Sequence, residues 1–166
     1  MVANALLDAG FTRLAYVAGK VNTSTNQDRE KGFGDRLRER GIVDWQHAQG
    51  DYTYQSGYTA VRELLAATAR PEAIFCANDI MALGTLDCAR DLGIQIPEEL
   101  SVIGFDDIPA AEWSGYQLTT VRQPVNQMIA ATLDVLSHHR EDPNTKPALK
   151  LIAGRLITRR SARIAK

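Results

Sequence analysis

The chain has 166 residues, of which 45% are hydrophobic and 23% charged. This composition suffices for one ordinary globular core and is too polar for a chain that lies within a membrane. The formal net charge of −1 gives no overall reason to expect a nucleic-acid or anionic-lipid surface, and the locally basic tail, residues 155–166, is interpreted as a solvated edge. Cys76 and Cys88 fit neither a disulfide framework nor a metal-ligand spacing, which predicts buried reduced thiols.

Strands and helices alternate along the sequence. A short helix at residues 2–9 is followed by three strand–helix units and a further strand, and the connections are too long for hairpins. Such a succession predicts an α/β fold with a doubly wound parallel sheet and helices on both of its faces. The predicted strands are residues 14–18, 45–49, 73–76 and 101–105, and the predicted helices after the first are residues 28–40, 55–69 and 80–92.

Each predicted strand ends on polar residues. The segment SVIGFDD passes from a buried strand into Asp106, AIFCAND ends near Asn78, and HAQGDY ends on Tyr52. The carboxyl ends of parallel strands meet at one edge of a sheet, where ligands bind because loops and helix N-termini present polar groups. These residues are therefore expected to converge, with a residue from the loop after the first strand, on a single site.

Each of these residues also has a purely structural interpretation. Asp79 stands immediately before a predicted helix and is more typical of an N-cap, and Asn78 could cap the same helix. Asp107, followed by Ile108 and a proline, could begin a turn, and Tyr52 could pack within its loop. The sequence leaves these alternatives open.

Residue patterns typical of enzymes are missing from the sequence. It contains no GxGxxG, no phosphate-binding GxxxxGK[ST] loop and no GxSxG. The three histidines, His47, His138 and His139, are not spaced as a metal site, and the side chains of the adjacent Asp106 and Asp107 should diverge rather than share a proton. The prediction is a protein that is not an enzyme and that uses no metal and no cofactor.

Six ordered motifs carry a specific resemblance: GFTRLAYVAG, RxxGF at residues 29–33, GDYTYQSGY, FCANDIMALG, ELSVIGFDD and LTTVRQP. Over about 115 residues they resemble the effector-binding core of LacI/GalR-family transcriptional regulators, and LITRRS resembles the last strand of that family. The resemblance implies a periplasmic-binding-protein-like fold, in which two α/β subdomains close on a small molecule, usually a sugar or a nucleobase-like effector.

The resemblance also assigns site residues. Arg29 matches the family arginine that reaches the effector, Asn78 and Asp106 match its polar contacts, and Tyr52 matches the aromatic residue after the second strand. These side chains suit a polyol, because a carboxylate accepts from hydroxyls, a guanidinium donates and an aromatic ring stacks on a pyranose. The same residue types would hold a purine nearly as well.

The resemblance also predicts how the chain is divided between two subdomains. Residues 10–120 are expected to form the carboxyl-terminal subdomain, residues 121–154 to belong to the amino-terminal one, and residues 155–166 to form the returning strand and tail. Within the middle segment a helix at residues 125–138 and a strand at residues 149–152 are predicted. The family's DNA-binding headpiece and the first half of its amino-terminal subdomain would precede Met1. The helix carries an apolar stripe whose family partners lie outside the chain, namely Val125, Met128, Ile129, Thr132, Leu133 and Leu136.

The expected partners follow from this assignment. They are a small-molecule effector, DNA only through a headpiece that this chain lacks, no membrane, and a second copy of the chain in a homodimer or a self-associated fragment. A cytoplasmic location is expected. The alternative is a periplasmic sugar-binding protein of a transport or chemoreception system, which would have the same fold and no DNA-binding part.

Overall fold

The computed structural model describes residues 1–142 and 149–165. Its centre is a six-stranded sheet in the order β2-β1-β3-β4-β5-β6, in which every pair is parallel except the antiparallel pair of β5 and β6. The predicted α/β fold is thereby confirmed. The strands are β1 (Leu14–Ala18), β2 (Gln46–Gln49), β3 (Ala73–Cys76), β4 (Ser101–Asp106), β5 (Thr119–Arg122) and β6 (Arg155–Ile157), and the helices are α1 (Val2–Asp8), α2 (Ser24–Glu39), α3 (Tyr54–Ala66), α4 (Asp79–Asp91) and α5 (Val125–Glu141).

Helices cover both faces of the sheet. Successive residues of a strand point to opposite faces, and in β3 the ring of Phe75 packs against Phe33 of α2 while the Cys76 thiol contacts Thr85 of α4. The helix α1 contributes to the same core, because Leu6 is fully buried. Both cysteines are buried and unpaired, as predicted.

Local signals account for most helix ends. The helix α2 begins four residues before the predicted start, because the Thr23 hydroxyl accepts a hydrogen bond from the Asn26 N–H and caps the helix. Gly41, at φ +86°, follows the last turn, in the left-handed conformation that glycine adopts at little cost. No helix within the described residues has the length and apolar character needed to cross a membrane.

The tail adds a strand to the sheet, and the interpretation of its basic residues as solvated is wrong for Arg159, whereas Arg155, Arg160 and Arg163 are exposed as expected. The strand β6 pairs with β5, and the buried Ser161 hydroxyl donates to the Val102 carbonyl (2.6 Å) and accepts from the Thr119 N–H (2.8 Å). Arg159 is only 9% exposed and forms an ion pair with Asp107 at 2.7 Å. An arginine can be buried in this way because its charge is compensated.

The helix α5 and residues 149–154, which follow β5, are mostly exposed. None of the residues of α5 is buried, and Leu133 and Leu136 are 59% and 58% exposed. The strand predicted at residues 149–152 is wrong, since Leu149 and Leu151 lie in irregular chain and are 86% and 89% exposed. A strand needs a neighbouring strand for its backbone hydrogen bonds, and this segment pairs with none of the described strands.

Candidate functional site

The predicted site residues lie along the carboxyl edge of the sheet, where hydrogen bonds and an ion pair connect them. Asn78 is the N-cap of α4, and its side-chain oxygen accepts from the Met81 N–H at 3.0 Å. Its amide nitrogen donates to the Tyr52 carbonyl at 3.2 Å, which ties the end of β3 to the loop after β2. Asn78 therefore has a structural role of its own, beside any role in binding.

Arg29 joins the tips of β3 and β4. It lies in α2, where its guanidinium donates to the Ala77 carbonyl and stands 3.6 Å from Asp106 Oδ1. The same group lies 3.7 Å from the centroid of the Phe105 ring, within the range of a cation–π contact. Its side chain is only 14% exposed, so these partners fix the direction in which it can donate to a ligand.

Asp106 ends β4 with an unusual backbone, at φ +128°. Its Oδ1 accepts from the Gln123 side chain at 2.8 Å, and its Oδ2 has no hydrogen-bond partner among the described residues. Burial raises the pKa of this carboxyl above its ordinary value, while Arg29 and the Gln123 hydrogen bond oppose the rise. Gln123 was not predicted as a site residue, although it lies in the LTTVRQP motif.

Tyr52 packs within its loop, which is the structural one of the two roles that the sequence left open. Its ring lies so close to Gly19 that a Cβ atom there would fall 2.1 Å from a ring carbon. Its hydroxyl is 3.2 Å from the Thr23 hydroxyl, at the N-cap of α2. Tyr52 thus packs on the loop between β1 and α2, while its half-buried ring still borders the carboxyl edge.

Asp79 and Asp107 are the two carboxylates beside the site, and Asp79 does not have the N-cap role that the sequence suggested. Asp79 is not the N-cap of α4 but its first residue, and it is fully buried. It accepts hydrogen bonds from the Thr120 hydroxyl (2.5 Å) and the Ile108 N–H (2.9 Å). Burial raises its pKa from 3.8 to about 6. Asp107 forms ion pairs with Arg159 of the tail and Arg122 of β5, whereas Asp106 contacts Arg29 and Gln123, so the two adjacent carboxylates have different partners, as predicted.

A cleft of about 480 Å³ opens beside this network. Arg29 lines it, whereas the other three predicted residues are not among its lining residues. Its walls also include three phenylalanine rings from α2, β3 and β4, and its lining extends to Met128 of α5 and to residues 150–152 and 154. The cleft provides a donor and aromatic surface, and the partly free carboxylate of Asp106 stands 3.6 Å from that donor without lining the cleft itself. A donor, a carboxylate and aromatic surface close to one another are the elements of a site for a small polar ligand.

Metal ligation has no support in the part of the chain that is described. Residues 1–142 and 149–165 contain no group of three or more histidine, cysteine, aspartate or glutamate side chains that could hold a metal ion.

Comparison with known proteins defines the class of protein. The profile of the periplasmic binding protein-like domain family matches residues 3–162, and the chain belongs to that family. Its curated relatives include the HTH-type transcriptional repressor PurR of Yersinia enterocolitica, with 35% identity over 147 residues, and PurR of Erwinia tasmaniensis, with 36%. Each alignment covers 84% of this chain and 43% of the relative, so the chain spans less than half the length of the curated relatives that it matches.

The solved structures narrow the class further. A sugar-binding LacI-family regulator from Escherichia coli, solved with phosphate, superposes with a TM-score of 0.87 and 32% identity over 99% of this chain and 59% of its own. The CelR–cellobiose complex gives 0.86 and 30%, over 96% and 50%. A LacI-family regulator from Enterococcus faecium with bound ribose gives 0.83 and 27%, over 99% and 62%. The resemblance to the effector-binding domain of LacI/GalR regulators is confirmed.

Proposed function

We propose that this chain is the effector-sensing part of a LacI/GalR-type transcriptional regulator and that it binds a small polyhydroxylated molecule, a sugar in the first place and a nucleobase-like compound in the second. The observation that carries the proposal is the pair of contacts at the carboxyl edge, in which Asn78 contacts Tyr52 and Arg29 faces Asp106. The superposition on regulators solved with cellobiose and ribose supports the same assignment.

The role of each residue in the proposal follows from its remaining hydrogen-bonding capacity. Asp106 accepts from ligand hydroxyls through Oδ2, since Oδ1 already holds Gln123. Arg29 donates from a guanidinium that Phe105 and Ala77 orient. Asn78 and Tyr52 border the ligand, and the exposed side of the Tyr52 ring supplies a surface for stacking.

The proposal also covers the rest of the regulator. A second lobe closes the site, α5 and the segment around Leu151 pack on that lobe, and a headpiece outside this chain reads DNA. The regulator works in the cytoplasm as a homodimer. Relatives that are transcriptional repressors favour this assignment over a periplasmic transport protein, and binding alone, without enzymatic chemistry, is the proposed activity.

Calorimetric titration of the intact regulator with a panel of sugars and purine bases, including ribose and cellobiose, tests the proposal. We expect at least one compound to bind. Asp106→Ala should then weaken binding by about 2–4 kcal/mol, because a charge-assisted hydrogen bond is lost, while the melting temperature of the free protein changes little.

The matched control is Asp91→Ala, at the opposite end of α4, where the carboxylate accepts from the Tyr58 hydroxyl and from no other described residue. It should leave affinity unchanged. A large loss of stability in Asp106→Ala with affinity retained would make Asp106 a structural residue and contradict the proposed site.

A further inference from the structure

Asp79 occupies an unusual position for a carboxylate. It is fully buried, yet no ion pair compensates it among the described residues, and the like-charged Asp106 also raises its pKa. A buried, unpaired carboxylate costs free energy unless it is neutralised or hydrogen-bonded. The raised pKa reflects that cost.

Two of the hydrogen bonds that Asp79 accepts come from the segments that carry the site residues Asp106 and Gln123. Through the Thr120 hydroxyl it holds β5, three residues before Gln123. Through the Ile108 N–H it holds the chain two residues after Asp106. One carboxylate therefore connects α4 to the two segments that supply the Asp106–Gln123 contact.

The chain around Asp106 needs such restraint. Asp106 and Asp107 have φ values of +128° and +59°, a region that residues other than glycine rarely adopt and that persists only where the surroundings impose it. Space for the carboxylate is provided by Gly104, since a Cβ atom there would lie 2.2 Å from Asp79 Oδ1.

We propose that Asp79 is a positioning residue, which sets the direction of the Asp106 carboxylate and its contact with Gln123 and so determines how tightly the site holds a ligand hydroxyl. Asp79 itself touches no ligand. This inference rests on the proposed function for its effect on affinity, whereas its effect on geometry is independent of any ligand.

The test is a ligand-free NMR measurement on matched variants. Asp79→Asn keeps the shape of the side chain, but its NH₂ group, itself a donor, would face either the Ile108 N–H or the Thr120 hydroxyl. Thr120→Val removes the hydroxyl at equal size, and Thr120→Ser retains it. We expect the Asp106 carboxyl carbon and the Gln123 side-chain amide signals to move in Asp79→Asn and Thr120→Val, and to stay as in the wild type in Thr120→Ser.

Two further readouts separate positioning from general support of the fold. The melting temperature of Asp79→Asn should be unchanged or higher, because a desolvated charge is removed. Affinity for whichever panel compound binds should fall about tenfold in Asp79→Asn and Thr120→Val, and not in Thr120→Ser, as expected for one misdirected charge-assisted hydrogen bond.

The outcomes are distinguishable. Unchanged Asp106 and Gln123 signals in Asp79→Asn would overturn the inference, whether or not the melting temperature falls. If Asp79→Asn does not fold, the Thr120 pair decides the question in the same way. Shifted signals in a protein that binds no panel compound would support the positioning role and count against the proposed function.

Discussion

Residues 1–122 and the segment formed by α5 and residues 149–154 place their apolar side chains in opposite environments. In the first region the leucines of α1, α2 and α4 that face the sheet are buried, Leu6, Leu37 and Leu86 among them. In the second, α5 buries none of its residues. Helix propensity does not explain the difference, because α5 is the longest helix of the described chain.

The two regions differ in whether their helices pack against the sheet. Each helix of the first region covers a face of the sheet, whereas α5 follows β5 away from it, and most helical stability in proteins comes from packing rather than from propensity. Isolated exposed hydrophobic residues are ordinary, but a run of them indicates an interaction surface. The comparison therefore indicates that residues 1–122 form a core of their own, whereas α5 and residues 149–154 present a surface that needs a partner.

The largest expected effect compares two leucines. Leu86→Ala in α4 removes a side chain with no exposed surface, and it should lower the free energy of unfolding by about 2–5 kcal/mol because it leaves a cavity. Leu133→Ala in α5, where the side chain is 59% exposed, should change it by less than about 0.5 kcal/mol. Urea unfolding of both variants measures the difference, and equal losses would mean that α5 is packed in solution.

The second prediction concerns the surface that α5 presents. We expect the 166-residue chain to self-associate through this segment, since each apolar side chain that becomes buried contributes roughly 1.5–3 kcal/mol. Leu133→Lys with Leu136→Lys should shift sedimentation velocity towards the monomer, with an association constant at least about tenfold weaker.

Leu92→Lys is the control for this experiment, because Leu92 is also an exposed leucine (48%) and lies just after α4. It should leave association unchanged. A wild-type monomer in which the amides of α5 exchange hydrogen as fast as those of an unfolded chain would contradict the prediction.

The third prediction concerns the pH dependence of the stability contributions of two carboxylates. Burial raises the pKa of Asp79 in the folded chain from 3.8 to about 6, so its stabilising contribution is complete below pH 4 and is lost as the pH rises to about 6. The stability of the wild type relative to Asp79→Asn should therefore fall by on the order of 2 kcal/mol between pH 4 and pH 7.

Asp134 in α5 provides the comparison. Its pKa is lowered, first by a hydrogen bond from Lys150, but the group is fully exposed. The stability difference between the wild type and Asp134→Asn should have no measurable pH dependence, because solvent screens such pairs. Thermal unfolding from pH 4 to pH 7 measures both, and a flat profile for Asp79→Asn would refute the raised pKa.

The sequence predicted the layered core well, for identifiable reasons. The bounds of β1 and β3 match the prediction, because short apolar runs with polar residues or a proline at their ends are local signals. The strand predicted at residues 149–152 had the same kind of local signal and was wrong, since a strand also needs a neighbour. Local pattern therefore predicts an element reliably only where its partner is present.

The site shows the same division between local and distant information. The placement of Asn78, Tyr52 and Asp106 at one edge was expected from the topology of a parallel sheet, whereas Arg29 was assigned only from the family resemblance. The hydrogen bond between Asp79 and Thr120 could not be predicted, because the two residues are 41 positions apart in the sequence. Arg159 was misassigned as solvated for the same reason, since its partner Asp107 is separated from it by 52 residues.

The antiparallel strand β6 has a consequence for synthesis of the protein. It reaches the sheet only after the whole of α5 has been made, and the Ser161 hydroxyl then joins Val102 of β4 to Thr119 of β5. During translation the outer edge of β5 must remain open until residues 155–161 have left the ribosome, and unpaired strand edges expose nascent chains to misassembly. Completion of this sheet is therefore a late event in the life of the nascent polypeptide.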